Sequence, residues 1–424
     1  MNKIYSYIKI IFVAVFILFL GAYLYSINII PEYDDGIITE DLEATINELS
    51  IYGNNLKLEG YIFNENAKNV SLAIVNEYGY EVVYNLNVEN IQNVLRFNTG
   101  IKINNQIDLE KFIDNGLYNA YLKVINKNNE TKYYNLLNES GFDTTTYYTI
   151  HHDNHNKKIT INSKDTLVLN VESNTDIVYD IILDAGHGGT DSGACYKKTK
   201  TCERVYTKKI ANDIKAYLEK YNVKVALSWD VDNVDDNTYI KLYGEDSRVS
   251  TVYESNAKYL FSLHLNSSST TRLTGFEIYT PYNVDYTFAR ILRDNMIKYV
   301  NAPTSNNTFN KVEPGIYTRT FSQNEIDDVH EGNVKDNMPK YDITTKTNYY
   351  FIIRETGGYM TGAYVEYDTP NYSKNIYANH NRGVESYIIE FAYINRLDNI
   401  NFFEKNYNKY IEAVSQSILT KLGV

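Results

Sequence analysis

A chain of 424 residues with 43% hydrophobic content is too long for one ordinary domain and apolar enough to build real cores, so two domains or three segments are expected. A formal charge of −12 excludes nucleic acid as a partner, because phosphate neutralisation needs a basic face, and argues against electrostatic binding to anionic membrane surfaces. The surplus of Tyr and Asn over Ala, Arg and Pro is the bias of an AT-rich genome rather than a functional signal.

The first element in chain order is apolar. Ile10 to Ile30 carries no charge and reaches the ~20 residues needed to cross a bilayer. Lys3 and Lys9 precede it, and Glu32, Asp34 and Asp35 follow. The positive-inside rule then predicts a single-pass anchor over 8–30 in the cell membrane, with the N-terminus in the cytosol and the rest extracytoplasmic. The alternative is secretion after cleavage of a signal peptide, which calls for a shorter apolar run and a small-x-small site. On either reading a disulfide can persist.

From 41 to 171 the chain alternates apolar and polar residues, as in "INELSIYGNNLKLEGYIF" and "NVSLAIVNEYGYEVVYNLNV", with Asn/Gly turns between runs. Short alternating runs at regular spacing predict an antiparallel all-β sandwich. Its pattern is similar to the immunoglobulin-like modules of bacterial surface proteins. It carries no nucleophile, carboxylate pair or Gly loop that stands out, which suits a spacer or binding domain.

Beyond Asp176 the pattern changes again. "DIVYDIILDAGHGG" is a strand ending in a Gly-rich turn, and "ERVYTKKIANDIKAYLEKY" has Val205, Ile210, Ile214 and Leu218 at helical spacing. "NVKVALSW", "KYLFSLHLN", "GFEIYT", "YYFIIRET" and "ESYIIEFAYI" read as strands. "YIKLYGEDSRVSTVYESNA" and "DYTFARILRDNMIKYV" read as helices, and a last helix covers about Phe402 to Leu422. Strands alternating with helices predict an α/β domain over 178–424, with a central, mostly parallel sheet flanked by helices. In such sheets the chemistry lies beyond the carboxyl ends of the strands. His187, His264 and Glu390 all sit at or just past predicted strand ends.

His187, Glu203 and His264 form a set. A catalytic zinc takes three protein ligands from His and Asp/Glu and leaves a fourth position open. Two His and one carboxylate favour zinc over all-sulfur or all-oxygen alternatives. A further carboxylate is needed as general base and then acid, and Glu390, at the end of an apolar strand, suits that role.

"ILDAGHGGTDSGA", a Glu nine residues after its last Ala, Arg248, Asn256-Ala257, "HLNSS", "GFEIYT" and "YIIEFAYI" together resemble the zinc-dependent N-acetylmuramoyl-L-alanine amidases of the sporulation and cell-division type. The likeness covers about 178–424 in matching order. It implies one zinc ion held by His187, Glu203 and His264, with Glu390 as the catalytic glutamate. It also implies a peptidoglycan substrate, cut at the amide between the lactyl group of N-acetylmuramic acid and L-alanine of the stem peptide. A zinc peptidase acting within wall peptides, or a catalytically dead wall-binding module, are the alternatives. A regulatory protein partner would be of unknown kind.

The sequence departs from that pattern in three places. Trp229 stands where an Arg is usual, the residues after the catalytic strand are "EFAYINR", with Ala392 and Tyr393, and an insertion of about 301–380 lengthens the chain. The insertion is expected to cover or narrow the cleft. Asp184, Asn266 and Arg248 are candidates for supporting the ligands or touching substrate, Asp184 by orienting a ligand histidine. Glu203 could equally be an acid favoured at a helix start. Cys195 and Cys202 could be further metal ligands, which would close the site. In an oxidising compartment a short-loop disulfide is the simpler expectation. His151, His152 and His155, in "HHDNH", read as a solvated turn between strands.

Overall fold

In a computed structural model, residues 35–63, 65, 67–140, 144–150, 155–162, 166–174, 178–196, 201–242, 244–270, 272–335, 343–357 and 383–424 are described. Twelve strands come first: β1 (Ala44–Tyr52), β2 (Asn55–Phe63), β3 (Ala67–Asn76), β4 (Glu81–Asn85), β5 (Asn87–Ile91), β6 (Val94–Asn98), β7 (Ile107–Asp108), β8 (Gly116–Asn126), β9 (Thr131–Asn138), β10 (Thr144–Ile150), β11 (His155–Asn162) and β12 (Val168–Asn174). They form one sheet along the path β10-β11-β12-β8-β9-β1-β2-β6-β5, with β3 and β4 branching from β8 and β7 from β2. Alternate residues such as Ile46, Leu58, Leu72, Leu122 and Leu169 close on a single core.

This corrects the expected antiparallel sandwich. β1 pairs with β9 in parallel, and β8 is shared by β3, β9 and β12, so the strands make one mixed, nearly barrel-shaped sheet rather than two stacked ones. Alternation records only that one side of each strand is buried. It does not record whether the opposing side belongs to a second sheet or to the same sheet curled over. The predicted membrane helix is corrected too. Among the described residues no helix is long and apolar enough to cross a membrane, and 8–30 lies outside them. An uncharged run of sufficient length satisfies the bilayer-thickness criterion alone. His151 and His152 also lie outside the described residues.

The second unit contains β13 (Ile181–Ala185), the two-residue strands β14 (Cys195–Tyr196) and β15 (Thr201–Cys202), α1 (Glu203–Leu218), β16 (Val225–Leu227), α2 (Arg248–Glu254), β17 (Tyr259–Asn266), β18 (Glu277–Tyr279) and α3 (Thr287–Asn295). It continues through β19 (Lys311–Glu313), β20 (Ile316–Tyr317), α4 (Gln323–Lys335), α5 (Phe351–Thr356), β21 (Glu385–Tyr393), α6 (Leu397–Lys405) and α7 (Tyr407–Leu422). Seven strands form a sheet in the order β16-β13-β17-β21-β18-β20-β19. The first four are mutually parallel, and β18 runs antiparallel to β21.

One face of this sheet packs Leu183, Phe261, Leu263 and Ile389 against α1, α3 and α7, where Ile210, Ile214 and Leu218 are buried and Val205 is exposed. The other packs Ile182, Leu260, Tyr279 and Ile388 against α2 and α5. "YYFIIRET" therefore forms a helix where a strand was predicted, because a short apolar run has no period that separates the two. The predicted last helix is two, α6 and α7. Of the insertion, β19 and β20 extend the sheet edge and α5 lies on its face; 336–342 and 358–382 are not described.

The turn between β1 and β2 sits against the amino-terminal end of the second sheet. Gly53 N donates to Gly383 O at 2.6 Å, and Asn54 Nδ2 to the Tyr259 hydroxyl at 3.3 Å. The two cores thus meet at the end opposite His264 and Glu390.

Candidate metal centre

β13 ends at Ala185, and the chain turns through Gly186 and His187. Gly186 packs so close to His264 that a Cβ would lie 2.2–2.5 Å from three atoms of that imidazole. Only glycine permits the approach. His187 takes φ 63°, the left-handed region that costs a non-glycine residue ~1–2 kcal/mol. Such strain persists only where the surroundings impose it. Here they do: buried Arg248 donates to Ala185 O at 2.7 Å and also to His187 O, so one guanidinium clamps both carbonyls of the turn.

Glu203 opens α1 and is 3% exposed. Leu265 N donates to its Oε1 at 2.9 Å and Ala194 N to its Oε2 at 3.2 Å. His187 Nε2 lies 3.1 Å from Oε2, and His264 Nδ1 lies 3.0 Å from Oε1. The three residues each offer a ligand atom within 4.8 Å of the others. Donors bonded at ~2.0–2.1 Å to one tetrahedral zinc sit roughly 3.3 Å apart, so the N, O, N set fits that ion with a fourth position free for a non-protein ligand.

Burial alone would lower the His187 pKa; the Glu203 carboxylate, and then Asp191, outweigh it and push it up to about 9. Burial alone would raise the Glu203 pKa, and the two imidazoles instead hold it well below the carboxylate range. A cation shared by the three groups would relieve the same charge imbalance.

The carboxylate beside His187 is Asp191, which the sequence reading did not single out, rather than Asp184. Asp184 orients no ligand: it is buried, accepting from Arg248 Nη1 at 2.6 Å, Ser228 Oγ at 2.5 Å and Ser262 Oγ at 2.6 Å. Burial pushes its pKa up, but Arg248 and the two serines bring it below its ordinary value. Asp191 orients His187, with Oδ2 2.8 Å from Nδ1, while its Oδ1 accepts from Gly193 N at 3.0 Å. The signal for it was position alone, four residues after the ligand in a Gly-rich turn.

Cys195 and Cys202 stand opposite each other in the β14–β15 hairpin, joined by a disulfide with Cα atoms 4.0 Å apart. The bond closes the loop that leads into Glu203, and neither sulfur is a metal ligand.

Glu390 sits on β21 directly beside His264 of β17, and opposite Glu277 of β18. Its Oε2 is buried without a hydrogen-bond partner. Burial first, then the charges of Glu203 and Glu277, push its pKa well above the usual carboxylate range. Asn266, two residues beyond His264 on β17, donates from Nδ2 to Glu277 at 2.9 Å. Trp229, standing in the position of the expected Arg, donates from Nε1 to Ala185 O at 2.8 Å and lies under Arg248, 5.3 Å from ring centroid to guanidinium. A cavity of about 1210 Å³ opens at the other end of the strands, beside Tyr179, Lys224 and Glu254, away from all of these groups.

The N-acetylmuramoyl-L-alanine amidase family matches residues 181–420, more than half of the chain. A curated relative, the probable cell wall amidase LytH of Staphylococcus saprophyticus, is 37% identical over 81 residues, which is 16% of this chain and 27% of the relative. The chain thus spans about a quarter of that relative's length. Among solved structures, the catalytic domain of the amidase CwlV from Bacillus (Paenibacillus) polymyxa is 18% identical, with a TM-score of 0.38, covering 58% of this chain and 99% of the other. An N-acetylmuramoyl-L-alanine amidase from Clostridium difficile is 18% identical with a TM-score of 0.36, over 58% and 98% of the two chains.

Proposed function

The chain belongs to the N-acetylmuramoyl-L-alanine amidase family, and from that premise we propose that it is a zinc-dependent hydrolase of peptidoglycan. Its bond is the amide between the lactyl group of N-acetylmuramic acid and L-alanine of the stem peptide. The observation that carries the proposal is the convergence of His187, Glu203 and His264 with Glu390 on the adjoining strand. One zinc ion held by the three supplies Lewis-acid polarisation of a carbonyl and acidification of water.

The chain's own residues do the rest. Backbone donors from Ala194 and Leu265 fix the Glu203 carboxylate, and Asp191 fixes the tautomer of His187, so the ligands keep their orientation. Glu390 Oε2 has no competing donor. It takes the proton from the attacking water and returns it to the departing amide nitrogen of L-alanine, the base-then-acid duty of a group whose proton affinity is raised by burial. The product is free stem peptide with a new amino terminus on L-alanine. We place the activity outside the cytoplasm, which is where the Cys195–Cys202 disulfide persists and where the wall is.

The test is digestion of muropeptides by the wild-type chain and Glu390→Gln, with and without chelator, followed by mass analysis. Intact stem peptide and free muramyl glycan are expected from the wild type alone, without chelator. Shortened peptides would mean a peptidase, and activity surviving both chelator and substitution would end the proposal.

A further inference from the structure

Glu277 is fully buried and both of its oxygens are committed. Oε1 accepts from Ser305 Oγ at 2.7 Å and the Tyr393 hydroxyl at 2.6 Å; Oε2 accepts from Asn266 Nδ2 at 2.9 Å and the Tyr279 hydroxyl at 2.7 Å. Directly opposite it stands Glu390. The pair divides the labour: Glu277 is a saturated anchor, and Glu390 keeps an oxygen open. What Glu277 anchors on this face is an aromatic wall. Tyr279, two residues along and on the same face, meets Tyr350 edge to face with centroids 4.9 Å apart.

Tyr350 comes from the insertion, and its place is fixed from below. It caps α5, whose other end is pinned to the start of β21. There Gly357 bridges to Val384, and the hydroxyls of Thr356 and Ser386 lie 3.1 Å apart. The seven steps from Gly357 back to Tyr350, through the six-residue helix, rise ~10 Å, the span of roughly three strand residues. The helix therefore carries Tyr350 from the level of Val384 up toward Ile388 and Glu390. The backbone around it is held as well: Tyr349 N donates to Arg319 O at 2.8 Å, and Arg354 Nη1 to Tyr349 O at 2.5 Å. The side chain is only half-buried.

We propose that Tyr350 is a further catalytic residue: its phenol, presented beside Glu390 on the wall built by Tyr279 and Glu277, donates a hydrogen bond to the carbonyl oxygen of the scissile amide. The inference rests on the amidase reading of the site and adds to it a donor from outside the motifs that carry the family resemblance. Burial, and then the nearby Glu390 charge, push the phenol's pKa up to about 12, so it stays protonated as a donor at working pH. A neutral donor aimed where negative charge develops acts on kcat rather than on substrate affinity.

Tyr350→Phe keeps the ring and its edge-to-face contact with Tyr279, and removes the hydroxyl together with its hydrogen bond with the Tyr279 hydroxyl. On the full zinc-loaded chain with a purified muropeptide, it is expected to lower kcat ~10²–10³-fold, the usual loss for one such donor. KM, melting temperature and bound zinc are expected to be unchanged. Wild-type kcat would overturn the inference. So would a change confined to KM, which would make Tyr350 a binding wall, or a fall in melting temperature that accounts for the lost activity. Glu390→Gln runs in parallel. If it retains wild-type activity, the amidase mechanism itself fails; if it is inactive while Tyr350→Phe is not, only the role of Tyr350 fails.

Discussion

Arg248→Met isolates the clamp under the metal centre. Arg248 and Asp184 are 4% and 2% exposed, with 2.6 Å between Nη1 and Oδ1. Methionine fills much of the space but leaves the Asp184 carboxylate buried without its countercharge. Breaking a buried pair from one side costs ~3–5 kcal/mol; because Ser228 and Ser262 still donate to Asp184, the lower end, about 3 kcal/mol, is expected here. At ~2–4 °C per kcal/mol for a domain of this size, the melting temperature should fall by roughly 6–12 °C. The substitution also releases the carbonyls of Ala185 and His187, so the left-handed turn at His187 loosens. Zinc affinity should drop ~10–100-fold, as for other losses of groups that orient a ligand.

The effect has a pH signature. The folded-state pKa of Asp184 is depressed, so its stabilisation is present above the unfolded value of ~3.9 and lost as pH falls through the folded value. The gap between wild type and Arg248→Met should therefore narrow in acid. Asp184→Asn combined with Arg248→Met should recover stability without recovering zinc affinity, since the stranded charge is gone and the turn is still free. Thermal melts of the chelated proteins and zinc titrations measure both quantities. A single variant that melts with the wild type at neutral pH and binds zinc equally would refute the clamp.

Asp191→Ala should weaken zinc ~10–100-fold while leaving the melting temperature of the metal-free chain nearly unchanged, because Asp191 is exposed and touches His187 by a single contact at 2.8 Å; metal titration and a chelated melt separate the two effects. Gly186→Ala drives a methyl into the His264 ring. Overpacking of that kind costs ~1–3 kcal/mol, and on the proposed ligation by that ring, zinc binding should suffer more than stability. Replacing both Cys195 and Cys202 by Ser removes a short loop closure worth about 2.5 kcal/mol on the chain-entropy model. The double variant should melt lower than the wild type, by an amount similar to that produced by reducing the wild-type bond.

The convergence of His187, Glu203 and His264 was legible because it is written in residue type and order. Two His and a Glu at strand ends and a helix start leave few other uses for those side chains. The catalytic sheet was legible for the same kind of reason, since alternation of apolar strands with helical spacing implies a parallel layer. The N-terminal sheet was not. Alternation predicted its strands, but the β1–β9 parallel pairing that joins them into one sheet is a long-range match between polar-edged runs, with no local signature. Asp191 was missed and Asp184 singled out although both lie within four residues of His187. Which carboxylate reaches the ring depends on the left-handed φ of His187, a backbone choice enforced by an Arg sixty-one residues away.

The departure at "EFAYINR" shows how a local irregularity can build part of the cleft. β21 pairs His264 with Glu390, and then Asn266 with Tyr393, so β21 carries one residue more than β17 across that step. In regular alternation Tyr393, three residues from Glu390, would point to the opposite face. An extra residue in one strand shifts the parity and re-aims the side chain. The Tyr393 hydroxyl accordingly reaches Glu277 at 2.6 Å, on the same face as Glu390. A tyrosine at 393 is therefore tied to the buried carboxylate that also holds Tyr279, and through Tyr279 the wall on which Tyr350 rests. The substitution away from the usual pattern and the insertion meet at Glu277, one strand from Glu390. Two of the three departures, Tyr393 and the insertion, thus converge on the Glu277 side of Glu390, while the third, Trp229, lies under the Arg248 clamp beside His187.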